Sequence, residues 1–153
     1  MRLRGESDVA AARHVIPRRH HEQHGPLSFA QQRLWFLWKL DPGGVAYNLS
    51  GGLHFIGALD VAALRAALDG LVARHESLRT VFREGHDGGV EQIVSLRSEI
   101  ALPYVDLSGD DAETRERRIC DESLQLRVTP FDLGVGPLMR AALFRVETDE
   151  HRL

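Results

Sequence analysis

Residues 60–83 read DVAALRAALDGLVARHESLRTVFR, and this stretch decides the kind of fold. Val61, Leu64, Leu68, Leu71, Val72, His75 and Leu78 recur at the 3.6-residue period of an amphipathic helix. Alanines fill positions between them, which favours helix by propensity, and Asp60 is a suitable N-cap. Gly70 is a local weakness of about 1 kcal/mol relative to Ala. The pattern then changes. Thr80, Val81 and Phe82 are strand formers, Gly85 to Gly89 reads as a turn, and Val90 to Leu96 as the returning arm. A helix that runs directly into a hairpin predicts an α/β arrangement with helices packed on a sheet.

The flanking sequence extends this pattern. Upstream, Ser28 and Gln31 form a capping box, and Ala30, Leu34, Leu37 and Trp38 fall on one helical face until Asp41-Pro42-Gly43-Gly44 stops it. Trp35, Phe36 and Trp38 are expected to be core aromatics in at least two cases. Tyr47 to Ile56 reads as extended, with Leu53 to Ile56 strand-like. Downstream, residues 103–109 read as a connector. Ser108 is the expected cap of a third helix over roughly 110–126, acidic at its start and with Arg117 and Arg118 later, as the helix dipole favours. Leu138 to Val146 reads as a strand buried on both faces. His151 belongs to a further strand. Residues 1–26 hold Arg2, Arg4, Arg13, Arg18 and Arg19 and little large apolar surface, so they are expected to be a poorly ordered leader or linker.

The bulk composition removes several classes of function. A length of 153 residues fits one ordinary domain. With 43% hydrophobic and 27% charged residues, the chain has a globular mixture rather than a low-complexity one. A net charge of −3 provides no basic excess for nucleic acid or an anionic membrane. No apolar run approaches the roughly 18 residues of a membrane span, and the N-terminal residues do not read as a secretory signal, so the expected location is the cytoplasm. Cys120 is the only cysteine; it is expected to be a small buried residue in a reducing compartment. No metal site is expected. The tract His20-His21-Glu22-Gln23-His24 is only compositional evidence for metal binding.

Two segments are more specific than patterning. Ser28, Ala30, Gln31, Arg33, Leu34, Trp35 and Leu37 fill every specified position of S-x-A-Q-x-R-L-W-x-L. Arg74, His75, Glu76, Leu78, Arg79, Thr80 and Phe82 fill every specified position of R-H-E-x-L-R-T-x-F. In this order and separation they resemble the first two core motifs of nonribosomal peptide synthetase condensation domains. Ala46-Tyr47-Asn48, Gly57 to Asp60, Pro130 to Leu133 and Gly136-Pro137-Leu138 look right as well. The resemblance covers roughly residues 26–153.

The resemblance implies the N-terminal lobe of a chloramphenicol acetyltransferase-like fold, an α+β two-layer sandwich, incomplete in this sequence. In such enzymes two lobes enclose a tunnel. Carrier proteins deliver substrates as phosphopantetheine thioesters, and an acceptor amine attacks the donor thioester. No other cofactor is implied; the implied partners are carrier-protein domains and the remainder of a synthetase, with neither nucleic acid nor membrane. A central H-H-x-x-x-D-G motif supplies the imidazole, a suitable base because its ordinary pKa is about 6.5.

That third motif does not occur in residues 1–153. Residues 27–153 are therefore expected to be the N-terminal portion of a condensation domain, truncated before its catalytic histidines and inactive alone. The His20-His21 tract is a decoy, because Gly25 and Pro26 stand where Asp and Gly should be. Arg74 and Arg79 match the family's supporting arginines, one of which pairs with the Asp of the histidine motif. Residue pattern alone leaves open which. His75 is expected to be packed rather than catalytic. The strands near 138–153 are expected to expose open edges. A non-catalytic carrier-docking module and a coenzyme A-dependent acyltransferase of the same superfold are the alternative functions.

Overall fold

The computed structural model describes residues 24–85, 88–96 and 98–153. The elements are β1 (His24–Pro26), α1 (Phe29–Leu40), β2 (His54–Ile56), α2 (Val61–Arg74), a 3-10 turn (Glu76–Arg79), β3 (Thr80–Glu84), β4 (Val90–Val94), β5 (Tyr104–Asp106), α3 (Ala112–Val128), β6 (Leu143–Glu147) and β7 (Glu150–Arg152). They form two sheets among the described residues, ordered β1-β4-β3 and β2-β7-β6-β5. Only β5 and β6 pair in parallel. This is the expected α/β architecture.

Polar caps set the helix starts. The Ser28 hydroxyl accepts from the Gln31 backbone N–H at 3.3 Å, and the Gln31 side chain accepts from the Ser28 N–H at 2.7 Å. The capping box is thus complete. Asp60 caps α2 by accepting from Ala63 N–H at 2.9 Å. The third cap differs from expectation. Asp111, not Ser108, accepts from Thr114 N–H, and α3 begins at Ala112. Ser108 is engaged elsewhere: its hydroxyl and its N–H both donate to Asp106 at the end of β5.

The other departures have physical causes. His24–Pro26 pairs with Glu91–Ile93 of β4, so strand structure is present ahead of the boundary expected at 26. The rest of that leader, with His20 and His21, lies outside the described residues. α2 stops at Arg74 because His75 takes an extended backbone, φ −106° and ψ 100°. That turn takes His75 out of the helical phase and leaves it exposed, not packed. The segment read as a connector contains β5, which pairs with the distant β6. The strand expected from Leu138 starts only at Leu143. Pro137 has no N–H to donate, and the Arg140 guanidinium reaches back to the carbonyls of Thr129 and Pro130. Cys120 is exposed, since it lies on the outer side of α3, away from the core-facing Ile119 and Leu126.

The core centres on β6. Leu143, Phe144 and Val146 are all buried, so the strand is covered on both faces as expected. Phe144 and Ala142 pack with Leu107, Val105 and the α3 residues Ile119 and Leu126. β7 lies between β2 and β6, so neither of these late strands is an open edge. The edges of that sheet are the three-residue strands β2 and β5. Ion pairs tie α3 to the sheet: Arg115 to Glu147 at 2.7 Å and Arg152 to Glu116 at 2.8 Å.

Among the described residues, three carboxyls titrate below their usual range. Hydrogen bonds from Ser108 hold Asp106 down, and Arg145 adds to the effect. The Thr114 N–H at the α3 cap does the same for Asp111, and Arg152 for Glu116. A carboxyl with a depressed folded pKa stabilises the fold above its unfolded value and loses that contribution as pH falls through the folded value. The midpoint of thermal unfolding should therefore fall on acidification below the ordinary Glu value of 4.5. The slope should be shallower in Glu116→Gln. An unchanged midpoint down to about pH 3 contradicts this assignment.

Candidate functional site

The first motif lies on α1, which crosses the β3–β4 hairpin. Trp35 is buried, with Trp38 at 4.9 Å and Phe82 at 6.5 Å between ring centroids. Gln31 donates to the Gln92 side chain of β4 at 3.3 Å, and Lys39 pairs with Glu84 of β3 at 2.9 Å. Of the three aromatics, Trp35 is buried and Trp38 half-buried, while Phe36 is 61% exposed. At least two core aromatics were expected; Trp35 is one, while Trp38 is only partly covered and lines a cleft. Ala30 and Arg33 are exposed. Leu34 and Leu37 face an apolar cleft instead of a covered core.

The Trp38 indole N–H donates to the Phe131 carbonyl at 3.1 Å. The Phe82 N–H donates to Leu133 O at 2.8 Å, and Arg83 to Gly134 O at 3.1 Å. Residues 131–136 are thereby strapped against β3. Gly136 has φ +69°, and a Cβ there would lie 2.9 Å from a Val81 methyl. Only glycine fits both demands.

The second motif divides its charged residues. Arg74 and His75 are exposed, and Glu76 opens the 3-10 turn. Thr80 is buried and its hydroxyl donates to Glu76 O at 2.8 Å. The Arg79 side chain is only 16% exposed. It donates to Ser95 O and lies 3.6 Å from the Glu76 carboxylate, while its Nε is buried with no partner among the described residues. It lines a small crevice of about 200 Å³ with Ser98, Glu99, Gly136 and Pro137. The fold therefore separates the two candidate arginines. Arg79 is inserted and Arg74 is at the surface.

A larger cleft of about 1120 Å³ opens between α1, residues 44–53, the end of α3 and residues 131–142. Two of its polar residues were not identified as functional from sequence. The Asn48 amide donates to the carbonyls of Arg127 and Thr129, which close α3. Arg140 shares the Thr129 carbonyl with Asn48, bonds the Pro130 carbonyl as well, and stacks 3.8 Å from the Phe131 ring. Asn48 did stand within a family-like stretch; Arg140 carried no sequence signal. His151 is buried in β7 against Tyr104, and its Nδ1 has no partner among the described residues. That matches the expected strand position.

The family model for condensation domains matches residues 21–153. The chain belongs to the condensation-domain family. It is 43% identical over 129 residues to a linear gramicidin synthase polypeptide of Brevibacillus parabrevis, which covers 84% of this chain and 2% of the synthase polypeptide. Chondramide synthase of Chondromyces crocatus is 42% identical over 128 residues, covering 84% of this chain and 3% of the synthase. The sequence thus spans a small part of the relatives it matches. Among solved structures, the first condensation domain of the calcium-dependent antibiotic synthetase superposes with a TM-score of 0.71 at 30% identity. It covers 84% of this chain and 31% of that one. The starter condensation domain of rhizomide synthetase superposes with a TM-score of 0.78 at 24% identity over 86% of this chain and 31% of that one, a likeness of fold. No helix among the described residues is long and apolar enough to cross a membrane.

Trp35→Ala should cost about 3–5 kcal/mol in urea unfolding, as for a large aromatic deleted from a core. Phe36→Ala, one residue along, should stay within about 0.5 kcal/mol. Equal losses would contradict the orientation of α1.

Proposed function

We propose that residues 27–153 serve as the N-terminal portion of an amide-forming condensation domain, working with carrier proteins in the cytoplasm. The substrates are aminoacyl or peptidyl thioesters on phosphopantetheine arms, and the reaction is attack of an amine on a thioester. The amine must lose a proton near neutral pH, and a histidine from the remainder of the domain is the base. Much of the acceleration comes from tethering and alignment of both reactants.

The observation that carries this reading is the placement of Arg79. A guanidinium held within the fold, with Nε buried and unpartnered among the described residues, suits an arginine that pairs with a carboxylate arriving from outside this segment. Arg74, exposed in the last turn of α2, suits the helix-end role of a cation at the negative pole of the dipole. Arg79 is thus the positioning residue: its ion pair orients the histidine loop without touching substrate.

The test grafts residues 27–153 into the matching condensation domain of the linear gramicidin synthase and follows single-turnover amide formation between carrier-bound substrates. Arg79→Ala should lower the rate constant with little change in apparent carrier affinity. The loss should stay within the roughly 10²–10⁴-fold that a general base contributes. Arg79→Lys should restore part of it, and Arg74→Ala should remain within about twofold of the parent. Inactivation by Arg74→Ala with an unaffected Arg79→Ala would reverse the assignment. A correctly folded graft without turnover would overturn the function.

A further inference from the structure

The loop between α3 and β6 forms one wall of the Arg79 crevice. Val135, Gly136, Pro137 and Leu138 stand on that wall. Gly136 brings it onto β3, where a Cβ would lie 2.9 Å from a Val81 methyl. Arg79 itself is held by the Ser95 carbonyl and lies 3.6 Å from the Glu76 carboxylate. Arginine has among the largest side-chain entropies, so these two contacts alone leave other rotamers open to it. A fixed wall closes them off.

The wall must be held in its turn. Its leading end is tied by Trp38 to Phe131 O, by Phe82 to Leu133 O and by Arg83 to Gly134 O. The Asp132 carboxylate accepts from Gly134 N–H at 2.8 Å, and its carbonyl accepts from Gly136 N–H at 3.0 Å. Past Gly136 such ties end. Among the described residues, 137–142 make no main-chain hydrogen bond. The polar tie of this stretch is the half-buried Arg140 side chain. Its guanidinium donates to Thr129 O at 2.7 Å and to Pro130 O, and it stacks on the Phe131 ring. The chain leaves α3 at Thr129 and is bonded back to that point by Arg140. Residues 129–140 are therefore a closed loop with Arg140 as its clasp. A planar guanidinium can serve two carbonyls and a ring face at once, which a lysine ammonium cannot.

We propose that Arg140 is a positioning residue for Arg79. By closing the 129–140 loop it fixes the wall that keeps the Arg79 guanidinium aimed at the carboxylate it pairs with. The inference rests on the pairing role proposed for Arg79, while the loop geometry beneath it is measurable without turnover.

The test is arginine footprinting of the 153-residue chain with phenylglyoxal, read residue by residue by mass spectrometry. Arg79 and Arg115 should both react slowly, because their side chains are only 16% and 14% exposed. The exposed Arg74 should react fast. Arg140→Gln should speed modification of Arg79 at least about tenfold, as expected when hydrogen bonds from a charged donor are lost from a locally opening segment. Arg115, on α3 and paired with Glu147 of the other sheet, should stay slow. If Arg140→Gln lacks a cooperative unfolding transition, Arg140→Lys decides by the same ratio of Arg79 to Arg115, since it keeps the charge without the fork. Acceleration of Arg115 together with Arg79 would show general loosening. An unmoved Arg79 would confine Arg140 to capping the end of α3. Either result overturns the proposal. In the graft of residues 27–153, Arg140→Gln should lower the rate constant for amide formation with little change in apparent carrier affinity. Once Arg79 is alanine, it should cost no more than about twofold further, because the two residues act as one unit. An equal loss in both backgrounds also overturns the proposal. Selective uncovering of Arg79 alongside an inactive parent graft would support the clasp and remove only the amide-forming reading.

Discussion

Trp35 is buried between Trp38 of its own helix and Phe82 of the β3 strand, and this contact joins the two core motifs into one unit. Its position is set from both sides. The Ser28–Gln31 capping box fixes where α1 starts, hence which residue of α1 points at the hairpin. The 3-10 turn that follows α2 fixes where β3 starts, hence which of its residues points back. A shift of one residue on either side would replace an aromatic contact by an exposed ring.

The remaining architecture is attached to that unit. Residues 131–136 are held on β3 and α1 by the bonds from Trp38, Phe82 and Arg83. Asn48 and Arg140 close the carbonyl end of α3. α3 in turn covers β5 and β6 through Ile119 and Leu126 and grips the sheet with Arg115 and Glu116. Among the described residues the two sheets share no strand, and residues 131–136 are one of the connections between them. Arg79 is held where the hairpin, the turn and this strap meet, which gives the second motif its geometric meaning.

Local chemistry was legible in the residues, and long-range chemistry was not. The caps at Ser28 and Asp60, the β3–β4 hairpin and the two-sided burial around Phe144 follow from spacing and side-chain type. Three near neighbours, Ser108, Asp110 and Asp111, all suit a cap. The choice fell to Asp111 because Ser108 bonds back to Asp106. β5 escaped notice because three residues carry almost no periodicity and their partner strand lies about forty positions away. That Arg79 is inserted while Arg74 stays at the surface depended on the backbone at His75, whose extended conformation ends α2 before the pattern does. The α1 stripe was recognised as apolar, and the cleft it faces is formed with residues 44–53, the end of α3 and residues 131–142.

Energetic coupling between the two motifs across Trp35 and Phe82 is the direct measure of this account. A double-mutant cycle with Trp35→Leu, Phe82→Leu and the pair, followed by urea unfolding, isolates it. The expected coupling is about 0.5–1.5 kcal/mol, the range for interacting aromatic pairs. Additive losses, within about 0.3 kcal/mol, would contradict the claim that this contact joins the motifs.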